Sequence, residues 1–267
     1  MKPFLKWAGN KFRVLNQILP HLPAGGRLIE PFVGSGALFL NSDYATYQLA
    51  DSNADLIALY QQLQQEGDTF IAYCRPFFTP ENNDGDRYYA FRARFNAIAP
   101  SREKAALFLY MNKHGYNGLC RYNKKGGFNV PFGRYKKPYF PEKEMTFFYE
   151  KAQTAVFSPS SFAQTMQTAV SNDIIYCDPP YVPLSATANF TSYGAAPFGM
   201  AEQQQLATLA RLTADRGIPV LISNHDTPIT RQLYADADAI HSFKVARTIS
   251  CDAGKRTAVN ELLAIFR

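Results

Sequence analysis

The sequence predicts an α/β fold, a sheet domain carrying an inserted lobe of helices and a hairpin, and three observations lead there. Apolar, strand-like runs that stop at an acid or a glycine turn recur towards both ends of the chain and alternate with helical stretches. Between them lies a long segment of helical periodicity alone, from Asp55 to about His114. A turn-rich segment follows it before the alternation resumes. At 267 residues the chain is long enough for one large α/β domain plus an insertion. The boundaries expected are 1–54 and 146–267 for the sheet domain and 55–145 for the lobe.

Residues 27–34 read as a buried strand running into the glycine turn Gly34-Ser35-Gly36, with Ala37-Leu38-Phe39-Leu40 helical after it. A second strand, Tyr47 to Ala50, ends at Asp51. In the lobe, helices are predicted over Asp86 to Ile98 and Ser101 to Lys113, the latter with Ser101 as N-cap and Leu107, Phe108 and Met111 on an apolar face. After Gly115, the segments Arg121-Tyr122-Asn123, Lys124-Lys125-Gly126-Gly127 and Phe128-Asn129-Val130 read as a hairpin with a basic tip. The run Ile174-Ile175-Tyr176-Cys177 is a strand that stops at Asp178. Residues 185–199, polar and small, are too many for an ordinary connection and read as a flap. A helix over Ala201 to Arg216, a strand over Ile218 to Ser223 and two β-rich segments, Ser242 to Ile249 and Leu262 to Phe266, come last.

Asp178-Pro179-Pro180-Tyr181 carries the most chemistry. Two prolines hold the chain extended past the strand end, so a carboxylate and an aromatic face are delivered to one rim of the sheet. The carboxylate and a prolyl carbonyl can each accept a hydrogen from an –NH2 group while the tyrosine stacks on the plane that bears it. Adenine fits that description, and so does cytosine. At the first strand, glycines let the backbone approach a ligand closely. Asp51 stands 17 residues after Gly34; this is close to the ~20 that separate a glycine loop from a ribose-binding acid in nucleotide-binding α/β folds.

Charge is distributed unevenly. The window from Arg121 to Lys137 holds Arg121, Lys124, Lys125, Arg134, Lys136 and Lys137 with no acid, and these six equal the chain's whole net excess of +6. Tyr122, Phe128, Phe132 and Tyr135 are interleaved with them, which suits a surface that binds a nucleic acid and also stacks or inserts side chains. No apolar stretch approaches the ~20 residues of a membrane span, and the lysine-flanked Met1-Lys2-Pro3-Phe4 is unlike a secretory signal, so no membrane is expected and a cytoplasmic location is. Cys74, Cys120, Cys177 and Cys251 are far apart and the four histidines have no ligand spacing, so reduced thiols and no metal are expected. Cys177, inside an apolar strand, reads as core rather than nucleophile.

Six ordered segments resemble the DNA adenine methylase family of α-group amino-methyltransferases, over essentially the full length. They are Phe4-Leu5-Lys6-Trp7-Ala8-Gly9-Asn10-Lys11, Glu30-Pro31-Phe32-Val33-Gly34-Ser35-Gly36, Gly115 to Asn123, Val130 to Lys137, Asp178 to Tyr181 and Ser223-Asn224-His225-Asp226. The resemblance implies a Rossmann-like S-adenosylmethionine-dependent methyltransferase sheet with an inserted helical and hairpin DNA-recognition lobe. It implies S-adenosylmethionine as methyl donor, double-stranded DNA as partner and the N6 amine of adenine in GATC as target, reached by flipping the base. It also implies a bacterial or phage-encoded enzyme in a bacterial cytoplasm, and a monomer is expected. By resemblance, Trp7, Lys11, Gly34, Asp51 and Asp178 belong to the cofactor pocket, and Asp178, Pro179 and Tyr181 to catalysis. Lys6, Asn117, Arg121, Pro131, Arg134 and Tyr135 match the DNA-facing side, with Arg121 the candidate for bidentate recognition of guanine. Asn10 stands where the family usually has glycine, and asparagine tolerates positive φ better than most residues. A cytosine-N4 methyltransferase would use the same carboxylate and aromatic, and the full-length resemblance argues against it. A non-catalytic DNA-binding regulator would not need the intact Asp51 and Asp178 to Tyr181.

Overall fold

A computed structural model of the chain describes residues 1–182, 198–245 and 259–267. A short helix α1 (Leu15–Ile18) precedes strands β1 (Arg27–Glu30) and β2 (Thr46–Asp51). Four helices follow, α2 (Ala54–Glu66), α3 (Asp68–Cys74), α4 (Gly85–Ala97) and α5 (Arg102–His114). The chain then returns through α6 (Glu142–Ala152), β3 (Ala155–Pro159), α7 (Phe162–Gln167) and β4 (Asp173–Cys177). Helix α8 (Met200–Ala214), β5 (Val220–His225), α9 (Pro228–Leu233), β6 (Ala239–Val245) and β7 (Val259–Phe266) come last.

The strands form one seven-stranded sheet in the order β3-β2-β1-β4-β5-β7-β6, in which β3 to β5 run parallel and β7 is antiparallel to both neighbours. Strands buried on both faces are apolar at every position because alternate residues enter different cores. In β4, Ile174 and Tyr176 join the core under α2, α5 and α6, whereas Ile175 and Cys177 join the one under α7 and α8. Leu221 and Leu263 fall on the first side, Ile222 and Leu262 on the second. The first core runs without a break from the sheet into α4 and α5, linking Phe148 and Tyr60 to Tyr88 and Phe108.

Several expectations meet small corrections. The strand at 27–34 ends at Glu30, because Val33 turns to donate its N–H to Ala50 O and the glycine turn begins there. The helix expected at Ala37 to Leu40 is a single 3₁₀ turn, Phe39–Asn41; Asn41 bonds back to the Ala37 carbonyl, and β2 begins five residues later. Ser101 caps α5 as expected, accepting from Lys104 N, but the helix is buried on all sides from Ala105 to His114 rather than along one stripe. The hairpin has two isolated bridges, Gly115 with Phe132 and Tyr122 with Phe128, in place of regular strands. Its tip is held locally: the Asn123 side chain accepts from Lys125 N and Gly127 N. β6 starts three residues before Ser242 and β7 three before Leu262. Most of the flap and residues 246–249 lie outside the described residues.

Candidate active site

In this strand order the chain leaves β1 towards β2 and β3 on one side and places β4 and β5 on the other. A crevice opens where that direction reverses, outside the carboxyl ends of the central strands, and ligands of open α/β sheets bind there. β1 pairs β4 through Ile29 and Ile175, so Glu30 to Gly34 and Asp178 to Tyr181 leave the sheet side by side. Asp51 ends β2 on the other flank of β1.

The glycine turn is fixed by three contacts. Gly34 N donates to Asp51 Oδ2 at 3.1 Å, its carbonyl accepts from Tyr60 Oη at 2.6 Å, and its φ of +46° lies in the left-handed region that favours glycine. A Cβ there would meet Trp7 Nε1 at 2.8 Å, so the indole lies directly on the turn. Asn53 N donates to the other oxygen, Asp51 Oδ1, at 2.9 Å. Burial nevertheless pushes the Asp51 carboxyl up to about 6, against those two amides.

At the end of β4, Lys11 Nζ pairs with Asp178 Oδ1 at 2.8 Å, accepts no exposure beyond 6 % of its side chain, and sits 4.4 Å from the Tyr181 ring centroid. Lys11 also donates to Gly9 O at 2.7 Å. The cation therefore occupies the space between carboxylate and aromatic face. Burial raises the Asp178 carboxyl to about 6, with the Lys11 ammonium holding it down. Tyr181 Oη donates to Glu261 Oε2 at 3.0 Å, and Gln203 Nε2 donates to Pro180 O at 2.7 Å, which locks the corner from β7 and α8. Pro179, between Asp178 and Pro180, is buried. Asn10 has φ −51° and caps the 3₁₀ turn by accepting from Phe12 N at 2.8 Å; the positive φ falls on Gly9 instead, so asparagine costs the loop nothing.

Of the residues assigned to the DNA side by resemblance, Lys6, Asn117 and Tyr135 gather into one group. Lys6 Nζ lies 3.8 Å from the Tyr135 ring centroid, and Tyr135 Oη accepts from Asn117 N at 2.9 Å. Buried Asn112 ties this group to the amino-terminal segment, accepting from Lys6 N at 2.9 Å and donating to Lys6 O at 2.7 Å. Lys6 and Trp7 are adjacent, so this group abuts the glycine turn directly. Arg121 stands apart: its Nε donates to Asn129 Oδ1 at 2.8 Å across the hairpin, and the side chain is exposed. Pro131 is exposed, its carbonyl accepting from Tyr116 N at 2.9 Å, and Arg134 is exposed with φ +53°.

Two acids at this rim had no role assigned from sequence. Glu30, 3 % exposed, has an Oε1 without a hydrogen-bond partner among the described residues; burial, with Asp178 nearby, pushes its carboxyl up to about 8. Its signal is an acid closing an apolar strand. Glu261 is the one acid within β7 and reaches Tyr181 across the sheet. Cys177 is fully buried with its thiol pushed above the ordinary value, which is core chemistry.

A largely parallel sheet whose switch-point crevice gathers a glycine turn, an acid on the next strand and an Asp-Pro-Pro-Tyr corner is a methyltransferase fold of the kind that uses S-adenosylmethionine. A family model for D12 class N6 adenine-specific DNA methyltransferases matches residues 7–249. The DNA adenine methylase of Escherichia coli (strain K12) is 52 % identical over 266 residues, covering 100 % of this chain and 95 % of the relative. That of Serratia marcescens is 52 % identical over 267 residues, covering 100 % and 98 %. That of Vibrio cholerae (El Tor Inaba N16961) is 52 % identical over 266 residues, covering 99 % and 96 %. The chain belongs to the DNA adenine methylases of this D12 class and is an adenine-specific DNA methyltransferase, which sets aside cytosine as target.

Proposed function

We propose that the protein transfers a methyl group from S-adenosylmethionine to N6 of adenine in GATC, acting as a monomer on duplex DNA in the bacterial cytoplasm after the target base has flipped out of the helix. The observation that carries this reading is a cation seated between the Asp178 carboxylate and the Tyr181 ring, within a crevice also lined by the Gly34 turn and Asp51. The residues fit the donor. Each Asp51 oxygen holds one backbone N–H and keeps a lone pair for a ribose hydroxyl, Trp7 and Gly34 form a flat wall, and the unpartnered Glu30 Oε1 offers a buried polar contact. When bound, S-adenosylmethionine supplies an electrophilic methyl on a sulfonium.

Adenine's exocyclic amine is a weak nucleophile because its lone pair is delocalised into the ring. Asp178 and the Pro179 carbonyl each accept one of its hydrogens, holding the nitrogen nearer tetrahedral and directing the lone pair at the donor methyl. The Pro180 carbonyl is taken by Gln203, so Pro179 is the prolyl acceptor assigned. Tyr181 stacks on the flipped base and replaces part of the lost duplex stacking. Residues 1–54 and 146–267 are assigned to the catalytic domain and 55–145 to the recognition lobe, in which Arg121 reads guanine and Asn117, Pro131, Arg134 and Tyr135 meet the duplex, joined there by Lys6 of the catalytic domain.

Incubating unmethylated plasmid with the protein and S-adenosylmethionine, then digesting with endonucleases that differ in tolerance of methylated GATC, tests activity and site together. Digestion by all of them, as in a control without protein, sinks the proposal.

A further inference from the structure

Asn53 touches both halves of the molecule. Its backbone N–H donates to Asp51 Oδ1 at 2.9 Å, and its side-chain Nδ2 donates to Cys120 Sγ at 3.2 Å, across 67 residues of sequence. The amide orientation is set by the fold, because Asn53 Oδ1 caps α2 by accepting from Asp55 N and Leu56 N, both at 3.1 Å. That leaves Nδ2 for the sulfur. Two residues further on, Asp55 Oδ2 accepts from Tyr122 Oη at 2.7 Å, with Lys104 Nζ 3.8 Å from the other oxygen. Tyr122 in turn stands edge-on to Phe128 in the opposite hairpin arm.

Cys120 and Tyr122 point inwards onto the Asp51 corner, and Arg121 between them points outwards, as alternation along an extended chain requires. We propose that Cys120 and Tyr122 are positioning residues that bolt the strand bearing Arg121 to the Asn53–Asp55 turn, so that filling the Asp51 ribose site and reading guanine with Arg121 are energetically coupled. The inference rests on the assignments of Asp51 to ribose and Arg121 to guanine made above. The link is two hydrogen bonds long on the cofactor side. Hydroxyls bound to Asp51 fix its carboxylate, the carboxylate fixes Asn53 N, and Asn53 fixes Cys120. The Asp51 carboxyl is the strained member of the chain, pushed up to about 6 by burial, so hydroxyl donors relieve a real cost there. A free energy shared between two sites is reciprocal, so the correct guanine must tighten donor binding by the factor by which donor tightens correct DNA.

Trp7 is the chain's one tryptophan and lies on the Gly34 turn, so its fluorescence reports occupancy of the cofactor site. S-adenosylhomocysteine, which cannot react, serves as the probe. Its affinity is measured on the full chain alone, with saturating GATC duplex, and with a duplex altered at the guanine. The native protein is expected to bind the probe about fivefold or more tighter with GATC than with the altered duplex. In Tyr122→Phe, which removes one of the two bolts, that ratio falls, while probe affinity without DNA stays close to native. Cys120→Val lowers the ratio likewise, and Cys120→Ser, which keeps an acceptor for Asn53 Nδ2, restores it. A native ratio of one, or an unchanged ratio in Tyr122→Phe, overturns the coupling. Failure of the guanine assignment is read separately, from Arg121→Ala methylating native and altered duplexes in unchanged proportion.

Discussion

The carboxyl rim of the sheet and the basic hairpin use charge in opposite ways. At the rim, Lys11 is 5 % exposed and pairs with Asp178 at 2.8 Å, while Asp51 and Glu30 are held where ionisation is costly. On the hairpin and the segment after it, Arg121, Lys124, Lys125, Arg134, Lys136 and Lys137 all stand in water. Buried charges act at short range and set one another's protonation state. Exposed ones act at long range and are screened by salt. Under the proposed function, the rim does chemistry on one atom and the hairpin finds and holds a polyanion.

The largest effect that separates the two regions is expected at Asp178. Asp178→Ala should lose nearly all methyl transfer and keep substantial DNA affinity, since the carboxylate is assigned to the amine and to no phosphate. Single-turnover rates alongside gel shifts measure both. A rate within about tenfold of native, roughly 1.4 kcal/mol of barrier, would remove Asp178 from the centre of the mechanism.

Next in size is Arg121→Ala, which should cost ~1–3 kcal/mol on GATC and much less on duplexes altered at the contacted guanine. Asn129 holds the Arg121 Nε at 2.8 Å and aims the guanidinium, so Asn129→Ala should reproduce part of the loss. Methylation of a set of singly substituted duplexes decides the matter: a uniform drop over the whole set makes Arg121 a backbone anchor and puts hairpin and anchor on the same footing.

Much of the rim was legible in the sequence because strand ends and glycine turns are local. Ile174 to Cys177 could be read as a buried strand from its apolar run, and Gly34 with Asp51 as a pair from their spacing, which the bond from Gly34 N to Asp51 Oδ2 joins. Helices α6, α7 and α9 and strand β3 carried weaker signals; Ser161 and Gln164 form the capping box of α7, a pattern of two polar residues that occurs widely by chance. Strand order was not legible, since it depends on which faces pack together over a hundred or more residues. The same holds for side-chain bonds across the fold. Lys11 could be placed near the cofactor by resemblance, but its seat against Asp178 and Tyr181 requires the amino terminus to cross the end of β4. Asn53 with Cys120, and Glu261 with Tyr181, are contacts of this kind.

A third effect tests whether the rim's charges really control one another. A protonated Asp178 is a donor at one oxygen and cannot orient the amine as a carboxylate does, so single-turnover methylation should fall as pH drops through about 6 rather than through the ordinary 3.8. Lys11 opposes the rise, so in Lys11→Met the acid limb should move to still higher pH. An acid limb that stays put in Lys11→Met would mean that the pair is broken before the chemical step.

The smallest effect belongs to the hairpin tip, and it is the sharpest contrast with the rim. Lys124 and Lys125 are exposed, flanked by Asn123 and Gly126, and the tip's backbone is held by Asn123 rather than by either lysine. Replacing both with glutamine should therefore leave the fold unchanged. It should also leave the saturated rate unchanged at low salt, because nothing at the rim is touched. If each lysine displaces one counterion from the duplex, the slope of log affinity against log salt should flatten by about 0.9 per lysine removed. Because phosphates carry no sequence, binding to GATC and to unrelated duplexes should weaken by the same factor. That pattern is the inverse of the one expected for Arg121, only a few residues away. Should the slope hold while GATC alone is weakened, the lysines would be reading bases, and the division between a rim that does chemistry and a tip that supplies only field would fail.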